Sequence, residues 1–265
     1  MTLPDTDETV LLDIREGIAR VTLNRPQARN ALTFAMYERL AAILGDVEAD
    51  AAIKAVVLTG AGDKAFAAGT DIGEFRAFTT PEHAIAYEER IGGVLDALER
   101  CRVPTVAAIA GACTGGGFGI AAACDLRVCT ADARFGLPIA RTLGNCLSLA
   151  NYRRFAALIG PARLKEMIFT ARLVGAEEAY AIGLVHEVVE GGGEAALRRA
   201  DELATTVASH APLTLSVTKQ ALLRLRDEPD RMDDEDLVLA CYMSADFREG
   251  MEAFLAKRPP RWTGR

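Results

Sequence analysis

Two glycine-rich segments carry the residue types from which an anion-binding site could be built. The first reads Lys64-Ala65-Phe66-Ala67-Ala68-Gly69-Thr70-Asp71. The second reads Ile109-Ala110-Gly111-Ala112-Cys113-Thr114-Gly115-Gly116-Gly117-Phe118-Gly119. Glycine lacks a Cβ, so its backbone can approach a ligand closely. The triple glycine 115–117 opens a small-residue helix. The first N–H groups of a helix and the positive end of its dipole favour negative charge. The chemistry these residues allow is backbone N–H donation to an anion. Where such donors face a charge that develops during reaction, loss of one typically costs ~3–4 kcal/mol of barrier. The same glycines would also let a helix lie close to a strand.

Other residue types narrow the choice. The six cysteines, at 101, 113, 124, 129, 146 and 241, form no Cys-x-x-Cys pair, and there are only three histidines. A structural zinc site is therefore not expected. Most of the cysteines sit in apolar surroundings and read as reduced core thiols. A net charge of −7 argues against a broad nucleic-acid footprint, which needs clustered Lys and Arg. It leaves room for one anionic ligand held by a few local basic residues. The acidic stretch MTLPDTDETV lacks the basic and apolar regions of a signal peptide. No uncharged apolar run approaches the ~20 residues of a membrane span. A cytoplasmic protein is expected, with neither nucleic acid nor membrane as partner.

The elements that must position the glycine segments follow from periodicity. Residues 10–15 and 18–23 read as a hairpin around Glu16-Gly17. Residues 31–49 have helical spacing, and 55–59 are a short apolar run suited to a buried strand. Thr80-Pro81-Glu82 opens a helix over 81–100. Strands at 105–110 and 125–130 flank a small-residue helix at 115–123. Helices are predicted over 148–160, 162–169 and 176–182. Gly191-Gly192-Gly193 reads as a flexible joint, with helices beyond it over 195–208, 212–226, 233–242 and 245–256. The fold class is α/β, with a helical C-terminal part.

In their order and spacing, the glycine segments resemble the enoyl-CoA hydratase/isomerase (crotonase) superfamily. The likeness extends to Leu23-Asn24-Arg25-Pro26, Asn30-Ala31-Leu32, Ala123-Cys124-Asp125-Leu126-Arg127 and Phe135-Gly136-Leu137-Pro138. It ends on the run from Phe247 to Arg258, so it covers nearly the whole chain. The resemblance implies a spiral of ββα units over 1–194 and a helical trimerisation region over 195–265. It implies an acyl-CoA thioester substrate, with CoA arriving as part of that substrate and no other cofactor. A homotrimer or a dimer of trimers is implied as well. The N–H groups of Thr70 and Gly116 would form the oxyanion hole. Ala68, Gly69, Ile72, Thr114 and Gly115 would shape the substrate site, with Arg25 and Ala28 beside the CoA. Arg25 could equally be a solvent-facing turn residue. Asp71 matches a position that more often fixes a loop or caps a helix.

Hydratases of this superfamily use a pair of glutamates for proton transfer. The matching positions here are Gly119 and Ile139, and neither side chain can transfer a proton. Little ordinary hydratase or isomerase activity is therefore expected. Gly144-Asn145-Cys146 lies near the place where the chlorobenzoyl-CoA dehalogenase branch has a nucleophilic Asp. Cys146 could be a nucleophile or a small lining residue. Residues 165–171 resemble the methylmalonyl-CoA decarboxylase branch, where an enolate forms without a base. Arg141 could bind an acyl carboxylate or be a solvated loop residue. Ser148 could cap the next helix, and His83, placed where the resemblance puts a lid, reads first as a surface histidine. A decarboxylase, a hydrolase and a catalytically silent acyl-CoA binder remain open alternatives.

Overall fold

The computed structural model describes residues 9–265, and the acidic stretch 1–8 lies outside the described residues. Strands β1 (Val10–Arg15) and β2 (Ile18–Leu23) form the expected hairpin. Its turn residues Glu16 and Gly17 have φ of +52° and +78°, the pair of positive angles a two-residue turn needs to follow strand twist. A 3-10 turn (Pro26–Ala28) follows, then α1 (Phe34–Ala49). The helix starts three residues later than its apolar spacing suggests. Thr33 caps it by accepting the Met36 N–H, and Leu32 is held extended in a bridge to Thr70.

The next three units repeat one plan. They are β3 (Ala55–Gly60), β4 (Ala65–Ala67) and α2 (Pro81–Arg100), with a 3-10 turn (Ile72–Ala77) before α2; β5 (Thr105–Ile109), β6 (Ala112–Thr114) and α3 (Gly116–Ala123); and β7 (Leu126–Thr130), β8 (Arg134–Gly136) and α4 (Ile139–Thr142). The remainder is α5 (Leu149–Ile159), α6 (Pro161–Thr170), β9 (Val174–Gly175), α7 (Ala176–Ala181), β10 (Glu187–Val189), α8 (Gly193–Ala208), α9 (Pro212–Asp227), α10 (Glu235–Tyr242) and α11 (Ala245–Leu255). The first strand of each unit joins one sheet, ordered β1-β2-β3-β5-β7-β10. The second joins a smaller sheet, ordered β4-β6-β8-β9. This is the α/β spiral of ββα units.

Side-chain alternation in the larger sheet sorts residues onto two faces. Val56, Leu58, Ala107 and Ile109 face the main core. Ala55, Val57, Val106 and Ala108 face α8, which lays Ala196, Ala200 and Ala204 on them. Alanines four residues apart form one stripe and let the helix lie close to the sheet. Both faces are covered, which suits the continuous apolar strands β3 and β5. The triple glycine before α8 is tied down, because the Gly193 N–H donates to Asp63 Oδ1 at 2.6 Å. Among the described residues no helix is long and apolar enough to cross a membrane.

Candidate functional site

The two glycine segments meet at one cavity because two loops are fixed against each other. Asn30, fully buried with φ of +53°, is the clamp. Its Nδ2 donates to Ala65 O at 2.7 Å and Ala61 O at 3.1 Å, and its Oδ1 accepts the Arg25 N–H at 2.9 Å. That holds the 25–32 loop on β4. Leu32 N–H then donates to Gly69 O, and Asp71 N–H donates to Leu32 O, both at 2.8 Å. In a parallel bridge the flanking residues supply these bonds, so the N–H of Thr70 itself points the other way. Gly69 and Thr70 both line the cavity.

Gly116 is the first residue of α3, and its N–H precedes the intrahelical ladder. Gly115 before it has φ of +52° and ψ of −121°, a conformation open to glycine. Among the described residues, neither the Thr70 N–H nor the Gly116 N–H donates to a protein group. The loops touch: a Cβ on Gly115 would lie 3.3 Å from Gly69 Cα, and one on Gly69 would lie 4.0 Å from Gly116 N.

The cavity brings together Ala68, Gly69, Thr70, Ile72, Thr114, Gly115, Gly116, Gly119 and Ile139. Its walls are mainly apolar, with Ile91, Leu95, Leu137 and Phe155 deep and Ile72 at the exposed rim. Gly119 is buried, and a Cβ there would meet Leu95 Cδ1 at 3.2 Å and Phe155 Cζ at 3.7 Å. Leu95 and Phe155 therefore fill the space beside that position. Ile139 is buried at the start of α4 and places another branched hydrocarbon in the wall.

Other candidate residues stand outside this cavity. Arg25 is a strut: its guanidinium donates to Ala31 O at 2.6 Å and to Asp71 Oδ2 at 3.1 Å. Asp71 caps the 3-10 turn through the Gly73 N–H at 3.0 Å. That N–H and the Arg25 guanidinium hold its carboxyl below the usual range. Ala28 lies half-buried in the 3-10 turn beside Arg25. Arg141 and Cys146 are exposed and are not among the lining residues. His83 is exposed, and its Nδ1 accepts the Thr79 N–H at 3.2 Å. Ser148 caps α5 through the Asn151 N–H.

Three functional groups at the site escape sequence reasoning. The hydroxyls of Tyr37, on α1, and Tyr87, on α2, each lie 3.0 Å from Thr70 Oγ1. Burial keeps both phenols protonated, pushing Tyr87 up to about 12 and Tyr37 further. Glu88, also on α2, lines the cavity half-buried and accepts the Ser148 N–H at 3.0 Å. Burial raises its pKa, and the Ser148 N–H offsets part of that. Helical spacing hides these residues: tyrosines on apolar faces read as core, and one Glu in a charged helix reads as surface. Their meeting depends on the contact of α1 and α2 across the Thr70 loop.

Comparison with known proteins agrees with this architecture. The enoyl-CoA hydratase/isomerase family model matches residues 13–265. The chain is 36% identical over 262 residues to the short-chain-enoyl-CoA hydratase of Clostridium acetobutylicum, covering 94% of this chain and 95% of that protein. It is 32% identical over 256 residues to the crotonyl-CoA hydratase of Syntrophomonas wolfei, covering 95% and 96%. A crystal structure of an enoyl-CoA hydratase/carnithine racemase from Magnetospirillum magneticum superposes with a TM-score of 0.90 at 36% identity, covering 98% of this chain and 97% of that one. With the spiral fold, the paired glycine loops and these likenesses in hand, the chain belongs to the enoyl-CoA hydratase/isomerase family of acyl-CoA-processing enzymes.

Proposed function

We propose that the protein holds the thioester oxygen of an acyl-CoA with the N–H groups of Thr70 and Gly116, and that it is not an ordinary hydratase. The observation that carries the first part is the pair of N–H groups without protein acceptors, brought to one apolar cavity by adjoining loops. Negative charge developing on that oxygen would meet two donors and the start of α3, at little reorganisation cost. The second part rests on Gly119 and Ile139, which give that wall no group able to transfer a proton. The lining favours a hydrocarbon acyl chain, since Arg141 lies outside the cavity and offers no carboxylate partner there. The CoA is proposed to run past Arg25 and Ala28 toward Ala68, where the Ala68 N–H donates to Arg29 O at 3.0 Å. The resemblance also supports a cytoplasmic homotrimer or dimer of trimers built on the C-terminal helices.

The test is crotonyl-CoA hydration by the pure protein, followed as loss of enoyl-thioester absorbance, beside a mass-spectrometric acyl-CoA panel. Each general acid or base is worth roughly 10²–10⁴-fold, so hydration slower than that of a two-carboxylate hydratase by at least that factor is expected. Rapid hydration would overturn the second part. Failure to bind or convert any acyl-CoA would overturn the first.

A further inference from the structure

Glu88 is less fully partnered than other shielded carboxylates of the molecule. Buried Asp246 accepts from Thr263 and Gly264 on both oxygens. Glu99 is paired with Arg226 at 2.6 Å and Arg154 at 2.9 Å, and Asp125 with Lys219 at 2.6 Å. Glu88 has no cationic partner among the described residues. Its Oε2 takes one backbone N–H, from Ser148, and no described group donates to its Oε1. It is the one carboxylate among the residues lining the cavity. Its negative charge is felt by both phenols that flank Thr70 Oγ1, which places it in the same small region as the proposed oxyanion donors.

We propose that Glu88 is the proton-transfer residue of this site, removing and returning the C2 proton of a bound acyl thioester. The proposal rests on the reading of Thr70 and Gly116 as the oxyanion hole. In the forward step the C2–H bond breaks and its proton forms an O–H bond on Glu88. The C–H electron pair becomes the C1=C2 bond, and the C1=O π pair moves onto the thioester oxygen between the two N–H groups. In the reverse step the Glu88 O–H bond breaks and a C–H bond forms again. No water, oxidant or second base is consumed, which suits a cavity walled by Leu95, Ile139 and Phe155. The carboxylate enters from α2, away from both positions where the family's hydratases keep theirs.

The surroundings favour a proton carrier. Burial raises the pKa of Glu88 above the ordinary 4.5, which strengthens it as a base near neutral pH. The titratable groups facing it are the phenols of Tyr87, on its own helix, and Tyr37, on α1, both held neutral by burial. Helix α3 carries no charged side chain. On α5, Arg153 and Arg154 are paired with Asp227 and Asp96, and on α2 Arg90 is paired with Glu38.

The experiment is C2 hydrogen exchange of butyryl-CoA in D₂O, read by mass spectrometry, with butyryl-CoA binding measured in parallel. The wild type should incorporate deuterium, at a rate that rises with pH and levels off above a midpoint higher than 4.5. Glu88→Gln keeps an oxygen for the Ser148 N–H, so it should still bind butyryl-CoA but exchange ~10²-fold more slowly or worse. Glu88→Asp should recover part of the rate. Unchanged exchange in Glu88→Gln, or no exchange by a wild type that binds butyryl-CoA, overturns the proposal and leaves the oxyanion reading standing. Failure of the wild type to bind butyryl-CoA overturns this proposal, and failure to bind any acyl-CoA of the panel overturns the oxyanion reading with it.

Discussion

A Cβ built on Gly116 would lie 2.1 Å from Tyr37 Oη, 3.2 Å from Thr70 Oγ1 and 3.3 Å from Leu32 Cδ1. Tyr37 is fully buried and bonded to Thr70, so it cannot swing away without breaking the hydroxyl cluster. The requirement for glycine at this position is therefore steric, whatever part its N–H plays. Gly116→Ala should lower acyl-CoA turnover and binding together, by ~10²-fold or more for a displaced oxyanion donor. Removing the obstructing oxygen with Tyr37→Phe in the same chain should restore part of both, measured as kcat and KM on whichever acyl-CoA is turned over. Gly119 is a different case. Its nearest obstacle is the flexible end of Leu95, so a glutamate there needs Leu95 to yield. Gly119→Glu with Ile139→Glu should gain crotonyl-CoA hydration only when Leu95→Ala makes room, which the same absorbance assay reads.

At the scale of elements, α3 presents its N-terminus to the cavity and is anchored at its other end by Arg127. Arg127 is 4% exposed. Its Nε donates to Leu184 O at 2.6 Å, and its Nη1 donates to Cys124 O at 2.5 Å and Ala121 O at 3.3 Å. It satisfies carbonyls at the end of a helix that has no polar side chain to do so. The neighbouring Asp125 accepts from the Thr105 backbone and hydroxyl at 2.8 and 3.0 Å and from Lys219 at 2.6 Å, tying β5 and α9 to the same corner. The Cys-Asp-Leu-Arg stretch thus positions the site from a distance. Arg127→Met would leave buried carbonyls unpaired, so a loss of about 3 kcal/mol in urea unfolding is expected. An unchanged unfolding midpoint would show that the anchor is dispensable.

For the molecule as a whole, α9 is a complete helix with no fully buried residue. Leu222 and Leu225 on it, Leu239 and Tyr242 on α10, and Phe247 and Phe254 on α11 are all exposed in the single chain. So much apolar surface on consecutive helices fits the proposed trimer better than a monomer. Light scattering should return three or six times the 28.3 kDa chain mass, and a single monomer peak would refute the assembly. In contrast, α8 lies on the larger sheet through its alanine stripe.

The sequence by itself determined an α/β core, a helical C-terminal part and the glycine loops. The spiral was implied only by family resemblance, and the smaller sheet of β4, β6, β8 and β9 is too short-stranded to be legible in the sequence. Alternating strands, short apolar runs and paired glycine segments are local patterns, and local chemistry is what they require. The sequence also determined that Gly119 and Ile139 cannot move a proton, whatever surrounds them. The start of α1 and the fixing of the Gly193 turn escaped it, because Leu32 and Gly193 are held by partners about 40 and 130 positions away along the chain. The tertiary structure alone decided that Arg25 braces Asp71 and that Arg141 and Cys146 stand outside the cavity. It alone brought Tyr37, Tyr87 and Glu88 to Thr70, because α1 and α2 meet over a loop that neither helix encodes. Burial and pairing set the chemistry of an ionisable side chain, and both are properties of the packed chain.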